Sequence, residues 1–451
     1  MEKYYALVEK FKDKILSAEK YLWENPEPGY KEFKTNEFMI NEFTKLGYDV
    51  VKAENITGFY TTLDTGKDGP TVLVLAELDS LINFSHPDCD KVTGAVHSCG
   101  HHVQCAAMLG LASALKEEGA LDGLSGKIKL CVVPAEEGIE IGYRKGLVKD
   151  GIISFTSGKP EFIYRRYFDD VDIAFMLHVT PSDNPKLQLS LTKGHNGVIR
   201  KITTVKGKAS HAGAHPHNGI NALNAASLII LAVNNLRETF KEEYYARVHS
   251  IITKGGDSVN AVPDEVVIES YVRASNPKAH KMINDSVNRA ISACAAAIGA
   301  SVHIQDFAGS EALNEDANLR AVAMEVFSEI VDKDEYIYDD TWMASSTDMG
   351  DVSCLFPSIH IYTHGATGNM HGKDFKVVNP YCACVQGAKS EFGLIRKLLE
   401  NDAIRAKEII SKFKPAFSSV DEYLKYKFSI NKDKDTVIYN DDGTITLDYK
   451  E

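Results

Sequence analysis

TVLVLAEL, residues 71–78, is an unbroken apolar run rich in β-branched residues that ends on a glutamate. Its length suits a strand, and apolar side chains at successive positions mean that both faces are covered, as in a parallel sheet. The neighbouring segments continue this pattern. VQCAAMLGLASALKEEG (103–119) carries apolar residues at helical spacing and ends in glycine, which predicts a helix. GKIKLCVVPAEE (126–137) predicts a second strand, EIGYRKGLVKDG (140–151) a short helix and VDIAFMLHV (171–179) a third strand. Strand alternating with helix implies βαβ crossovers, hence an α/β fold with a mostly parallel sheet. Upstream, residues 1–47 read as helical, with a turn at ENPEPGY (24–30), where the prolines and Gly29 break the pattern.

The pattern changes after Lys193. RKITTVKG, ARVHSIITKGG, EVVIESYVRAS and SVHIQDF predict strands, and GINALNAASLIILAVNNLRETF and KMINDSVNRAISACAAAIGA predict two helices. A segment of that size and composition suits a smaller α+β domain inserted into the first. From about residue 308 the chain returns to helix (NLRAVAMEVFSEIV), a polar loop (SSTDMGD), a strand (SIHIYTH) and a long helix (379–401). VIYNDDGTITLDY (437–449) predicts a hairpin around Asp-Gly. The expected organisation is a catalytic domain over 1–193 and 308–415, a satellite domain over 194–307, and a charged C-terminal extension over 416–451.

The 451-residue chain is 44% hydrophobic and 25% charged, the composition of a globular protein with a large core. Its formal charge of −13 argues against a nucleic-acid partner. No apolar run approaches the ~20 residues of a spanning helix. The amphipathic start, MEKYYALVEKFKDK, is not a secretory signal. Eight scattered cysteines without a C-x-x-C pair suggest reduced thiols and a cytoplasmic protein.

Four stretches carry metal-type side chains: CGHH (99–102), PAEEG (134–138), LHV (177–179) and NMHG (369–372). Ligands of an open parallel sheet bind beyond the carboxyl ends of its strands, where most of these stretches fall. Cys99 and His101 supply only two ligands, too few for a four-ligand structural zinc. Gly100 between them lets the backbone turn so that both side chains face one point. Each group also has a plainer reading. Cys99 can be a small buried hydrophobe, the histidines hydrogen-bonded polar groups, and Glu136–Glu137 a solvated strand end. Burying two adjacent carboxylates is costly without a cation, however, and one can bind metal while the other moves a proton.

In order along the chain, LAELDSL, HSCGHH, PAEEG, LHV, GKASHAG with PH and INAL, GGDSVNAVPD, STDMGDVS and NMHG span roughly residues 15–400. This series resembles the dinuclear aminoacylase–carboxypeptidase family of metallopeptidases. More narrowly it is similar to the amidohydrolase branch, with its hippurate, auxin-conjugate and aminobenzoyl-glutamate hydrolases. TDMGDVS leans toward the aminobenzoyl-glutamate and dipeptidase-like members.

The resemblance implies a catalytic α/β domain and a satellite domain that dimerises and closes over the active site. It implies Cys99, His101, Glu137, His178 and His371 as metal ligands, with His364 a competitor for the last role. Glu136 is then the general base, and Asp79 orients His101 from behind. His211 stabilises the oxyanion, often in the partner subunit's site, and Asn260 and Arg273 bind the substrate carbonyl or carboxylate. Thiolate, imidazole and carboxylate together suit zinc, manganese, cobalt or nickel, one or two per subunit. In the family two ions roughly 3.5–4 Å apart activate a water between them. His102 stands where many relatives carry an aspartate, and its role stays open, as do those of His215 and His217.

The implied activity is hydrolysis of the amide bond of N-acyl amino acids or aminobenzoyl-glutamate-like conjugates, by a homodimer with no nucleic-acid or membrane partner. The alternatives are a dipeptidase or carboxypeptidase of the same family, or a catalytically silent binding homologue. The latter should lack a ligand or the base, and none is missing.

Overall fold

The computed structural model describes residues 1–450. It forms two compact units: residues 1–194, 314–341 and 351–415, and residues 195–313, 342–350 and 416–451.

The first unit is an α/β structure around a nine-stranded sheet. At its centre Lys127–Val133, Thr71–Glu77, Ile173–Pro181 and Ser358–Thr367 run parallel, in that order. All seven residues of Thr71–Glu77 are buried, as a strand covered on both faces requires. Phe59–Asp64 adds antiparallel on one side, and Leu189–Leu191 followed by Tyr336–Tyr338 on the other. The helix His101–Leu115 is buried along its whole length, so it is apolar all round rather than striped. One hydrophobic core joins it to the sheet and to helices Lys12–Trp23, Phe33–Lys45, Ala317–Ile330 and Gln386–Lys412. The polar SSTDMGD stretch, expected as loop, ends in a short helix, Met349–Ser353.

The second unit is an antiparallel sheet in the order Arg247–Lys254, Glu265–Ala274, Gly197–Lys206, Ser301–Ala308, Lys432–Asp435. Helices Ala222–Asn235 and Pro277–Ala297 share a core with it, through Ile229, Ile283, Val287 and Ile291 against Val205, Val266, Ile268 and Ile304. The charged C-terminal residues fold here rather than standing apart. Lys432–Asp435 is an edge strand, and Ile430 and Val437 join the core. The hairpin Val437–Tyr439/Ile445–Leu447 forms, with Gly443 at φ +83° in its turn.

Candidate metal centre

The first unit's parallel strands deliver the site residues. Asp79 lies two residues beyond strand 71–77, Glu136 and Glu137 follow strand 127–133, and His178 sits near the end of strand 173–181. His371 follows strand 358–367, and its backbone N–H donates to the Ser98 carbonyl at 2.9 Å. Cys99 and His101 flank Gly100, the N-cap of helix His101–Leu115, at φ +92°.

These side chains converge. Cys99 Sγ lies 3.5 Å from His178 Nε2 and 3.4 Å from His371 Nε2, and His371 Nε2 is also 3.4 Å from Glu137 Oε1. Among the sets of donor atoms that gather within 4.8 Å are Cys99, His101 and His178; Cys99, Glu137 and His371; and His101, Glu136 and Glu137. Cys99, His101 and Glu137 each belong to two of these sets, so the sets adjoin.

The outward nitrogens of His178 and His101 are fixed. His178 Nδ1 donates to the Val179 carbonyl at 2.7 Å. His101 Nδ1 is 2.9 Å from the Asp79 carbonyl and 3.2 Å from Asp79 Oδ1, which leaves Nε2 toward the donor set. The Asp79 carboxylate also accepts the backbone N–H groups of Glu136 (3.1 Å) and Glu137 (3.0 Å), so one residue orients an imidazole and both glutamates.

Electrostatics favour a cation. Burial first, then the charge of Glu137, pushes the Cys99 thiol well above its ordinary value. Burial and the neighbouring His101 bring His178 down to about 4. Burial opposes ionisation of Glu77, yet the adjacent Lys159 holds its carboxyl well below the usual range. His101 Nε2 and Glu137 Oε1 are buried and form no hydrogen bond, though each faces another metal-type group, Glu77 Oε2 at 3.1 Å and His371 Nε2 at 3.4 Å. Orphaned buried polar atoms among carboxylates, imidazoles and a thiol fit a divalent metal of the zinc type and do not suit calcium or magnesium.

The remaining expected residues are in none of these donor sets. His102 is buried against Trp23 (ring centroids 5.1 Å apart) with Nε2 3.3 Å from Glu19 Oε1, and is in none of the donor sets. His364 Nε2 meets Ser190 Oγ at 3.0 Å and Nδ1 meets the Thr180 carbonyl at 3.2 Å, so both ring nitrogens are engaged. In the second unit, His211 is exposed, its Nδ1 accepting the N–H groups of Gly213 (3.2 Å) and Ala214 (3.0 Å). Asn260 is exposed and accepts from Ser258 Oγ at 2.5 Å. Arg273 donates to Ser346 Oγ at 2.6 Å. His215 and His217 are exposed neighbours, ring centroids 6.0 Å apart.

Sequence reasoning missed the buried cluster beside His101 Nε2. Glu77 Oε2 is 3.1 Å from His101 Nε2 and accepts from Gln104 Nε2 at 2.8 Å, while Glu77 Oε1 pairs with Lys159 Nζ. Lys159 is fully buried, and nothing in GKPEF (158–162) signals that in advance.

A parallel α/β sheet with this donor set at its strand ends defines a candidate divalent-metal centre. Residues 193–297 match the model of the peptidase dimerisation domain of the M20 family. The chain is 32% identical to the Xaa-Arg dipeptidase of Homo sapiens over 61% of this chain and 58% of that protein. It is 29% identical to the IAA-amino acid hydrolase ILR1-like 5 of Arabidopsis thaliana over 63% of this chain and 61% of that protein, so the chain spans about three fifths of the length of both relatives. A solved dinuclear metal-binding peptidase of the M20 family from Bacillus subtilis superposes with a TM-score of 0.68 at 20% identity, covering 88% of this chain and 100% of that one. The chain thus carries the peptidase dimerisation domain over residues 193–297 and shares its fold with a dinuclear metal-binding peptidase of the M20 family.

Proposed function

We propose that the protein is a metal-dependent amidohydrolase acting on N-acyl amino acids or small aminobenzoyl-glutamate-like conjugates. The observation that carries this reading is the placement of Glu136. Its carboxylate gathers with His101 and Glu137, yet it is absent from the set of Cys99, Glu137 and His371. Glu137 shares a donor set with Cys99 and His371 and Glu136 does not, which supports a division in which Glu137 binds the metal and Glu136 moves the proton. The likeness to an IAA-amino acid hydrolase supports amide cleavage next to an amino-acid carboxylate.

Cys99, His101, Glu137, His178 and His371 would hold one or two ions of zinc, manganese, cobalt or nickel. The bound metal supplies Lewis acidity, which makes water a nucleophile near neutral pH and polarises the scissile carbonyl. Glu136 takes the proton from the attacking water and carries it to the leaving amine nitrogen as the C–N bond breaks. Asp79 holds both backbone amides of the glutamate pair, which keeps the base aimed during that transfer. From the satellite domain, His211 stabilises the oxyanion in the site of a homodimer partner, and Asn260 and Arg273 read the substrate's carbonyl and carboxylate.

Glu136→Gln is expected to keep its metal and lose about 10²–10⁴ in turnover. Elemental analysis and a hydrolysis panel check this, and full activity in that variant removes the base assignment. The 32% identity to an Xaa-Arg dipeptidase favours a second reading, cleavage of dipeptides. A panel of N-acyl amino acids and dipeptides with added zinc or manganese separates the two.

A further inference from the structure

The ENPEPGY turn and the residues just after it lie at the back of the catalytic turn. Ala135, immediately before the base, has φ +56°, an uncommon conformation for a residue with a side chain. Its N–H donates to Glu32 Oε1 at 2.9 Å, and the other Glu32 oxygen accepts from Thr57 Oγ1 at 2.5 Å. Its carbonyl faces the buried Arg144, whose Nη1 is 3.4 Å away. Gly29 packs so close that an added Cβ would lie 2.8 Å from Ala135 Cα. The same segment reaches Asp79's neighbour, since Ser80 N–H donates to the Glu27 carbonyl at 2.8 Å.

Three successive amides are therefore held by two buried carboxyl groups: Ala135 by Glu32, and Glu136 and Glu137 by Asp79. A strained turn persists only where its surroundings over-determine it. Remove the Glu32 contact and the Ala135 amide is buried without a partner, while the left-handed backbone has one hold fewer.

We propose that Glu32 is a positioning residue of the hydrolytic reaction: by clamping the Ala135 amide it fixes the turn that aims Glu136 and Glu137. This rests on the roles given to those two glutamates above. Burial, then the charge of Asp79, pushes the Glu32 carboxyl up to about 8, so a neutral glutamine is a close substitute. Its amide oxygen can accept from Ala135 and its amide N–H can donate to Thr57.

The test compares Glu32→Ala, Glu32→Gln and Thr57→Val in the full chain. The readouts are zinc affinity by titration of the metal-free protein and kcat and KM on whichever panel substrate turns over. For Glu32→Ala the expectation is a zinc affinity about 10–100-fold weaker, the usual effect of losing a group behind the ligands, and a lower kcat with KM within about threefold. Glu32→Gln should restore both to within about threefold, and Thr57→Val should fall between. Wild-type zinc affinity and kcat in Glu32→Ala would overturn the proposal, as would a Glu32→Gln variant as impaired as the alanine. If Glu32→Ala does not fold, the glutamine and valine variants still decide it. The zinc titration needs no substrate. If Glu136→Gln proves fully active, the base assignment fails while the clamp is still judged on metal affinity.

Discussion

Asp79 shows how much of the site hangs on single side chains, because its one carboxylate faces an imidazole and two amides. The residues that read clearly in the sequence were those whose type announces chemistry: Cys99, His101, the Glu136–Glu137 pair, His178 and His371. Glu32, Glu77 and Lys159 did not, because what distinguishes them is burial beside a particular partner, and a glutamate or lysine in a sequence is by default a surface residue. His364 illustrates the reverse case. It looked like a ligand by type, but its nitrogens are bound to Ser190 and Thr180. Burial, opposed by the Thr180 hydrogen bond, lowers it to about 4. The unfolded imidazole protonates near pH 6.5, so between the two values the unfolded state holds the extra proton. The contribution is complete above pH 6.5 and lost as pH falls through 4, worth up to about 3 kcal/mol. His364→Gln, which cannot titrate, should lose less stability than the wild type between pH 7 and 4.5 when denaturant midpoints are compared. Equal losses would show that another group sets the acid limb.

At the scale of elements, strands 71–77, 127–133 and 173–181 and their helices were legible because long apolar runs admit few alternatives. Phe59–Asp64, Leu189–Leu191 and Tyr336–Tyr338 were not read, being short or half-exposed pieces without a decisive period. The C-terminal segment misled through its charge: Lys427 is fully buried, with Nζ 3.3 Å from Glu311 Oε1, and composition cannot reveal that pairing. Helix His101–Leu115 has to begin at one exact point, since its first residue is a site histidine. Gly100 sets that point, because an added Cβ would sit 2.2 Å from Val179 Cγ1 as well as at a disfavoured φ. Gly100→Ala is therefore expected to cost about 1–3 kcal/mol from backbone strain alone and to weaken zinc binding. Gly142, inside helix Ile141–Lys149 with open space around it, is the control. Gly142→Ala should be neutral or stabilise by up to about 1 kcal/mol. Thermal melts and zinc titrations of both variants check the pair, and an unaffected Gly100→Ala would remove the helix-start argument.

For the whole molecule, the change of pattern after Lys193 marked a second domain, but strand–helix patterning could not show that the far C-terminus joins it. The two units have separate cores, one built on the nine-stranded sheet and one on the five-stranded sheet. Chains with separate cores commonly unfold in more than one step. The expected ligands Cys99, His101, Glu137, His178 and His371 all lie in the first unit. A metal that binds only the folded state stabilises what it binds by RT ln(1 + [L]/Kd), about 4 kcal/mol at a thousandfold excess over Kd. Calorimetry of the metal-stripped full chain should thus show two transitions, and zinc should raise one while leaving the other in place. In Cys99→Ala that upward shift should shrink, since a residue common to two donor sets is gone, while the zinc-insensitive transition stays where it was. Two transitions rising together with zinc, or a shift undiminished in Cys99→Ala, would mean that the metal is not held where these side chains meet.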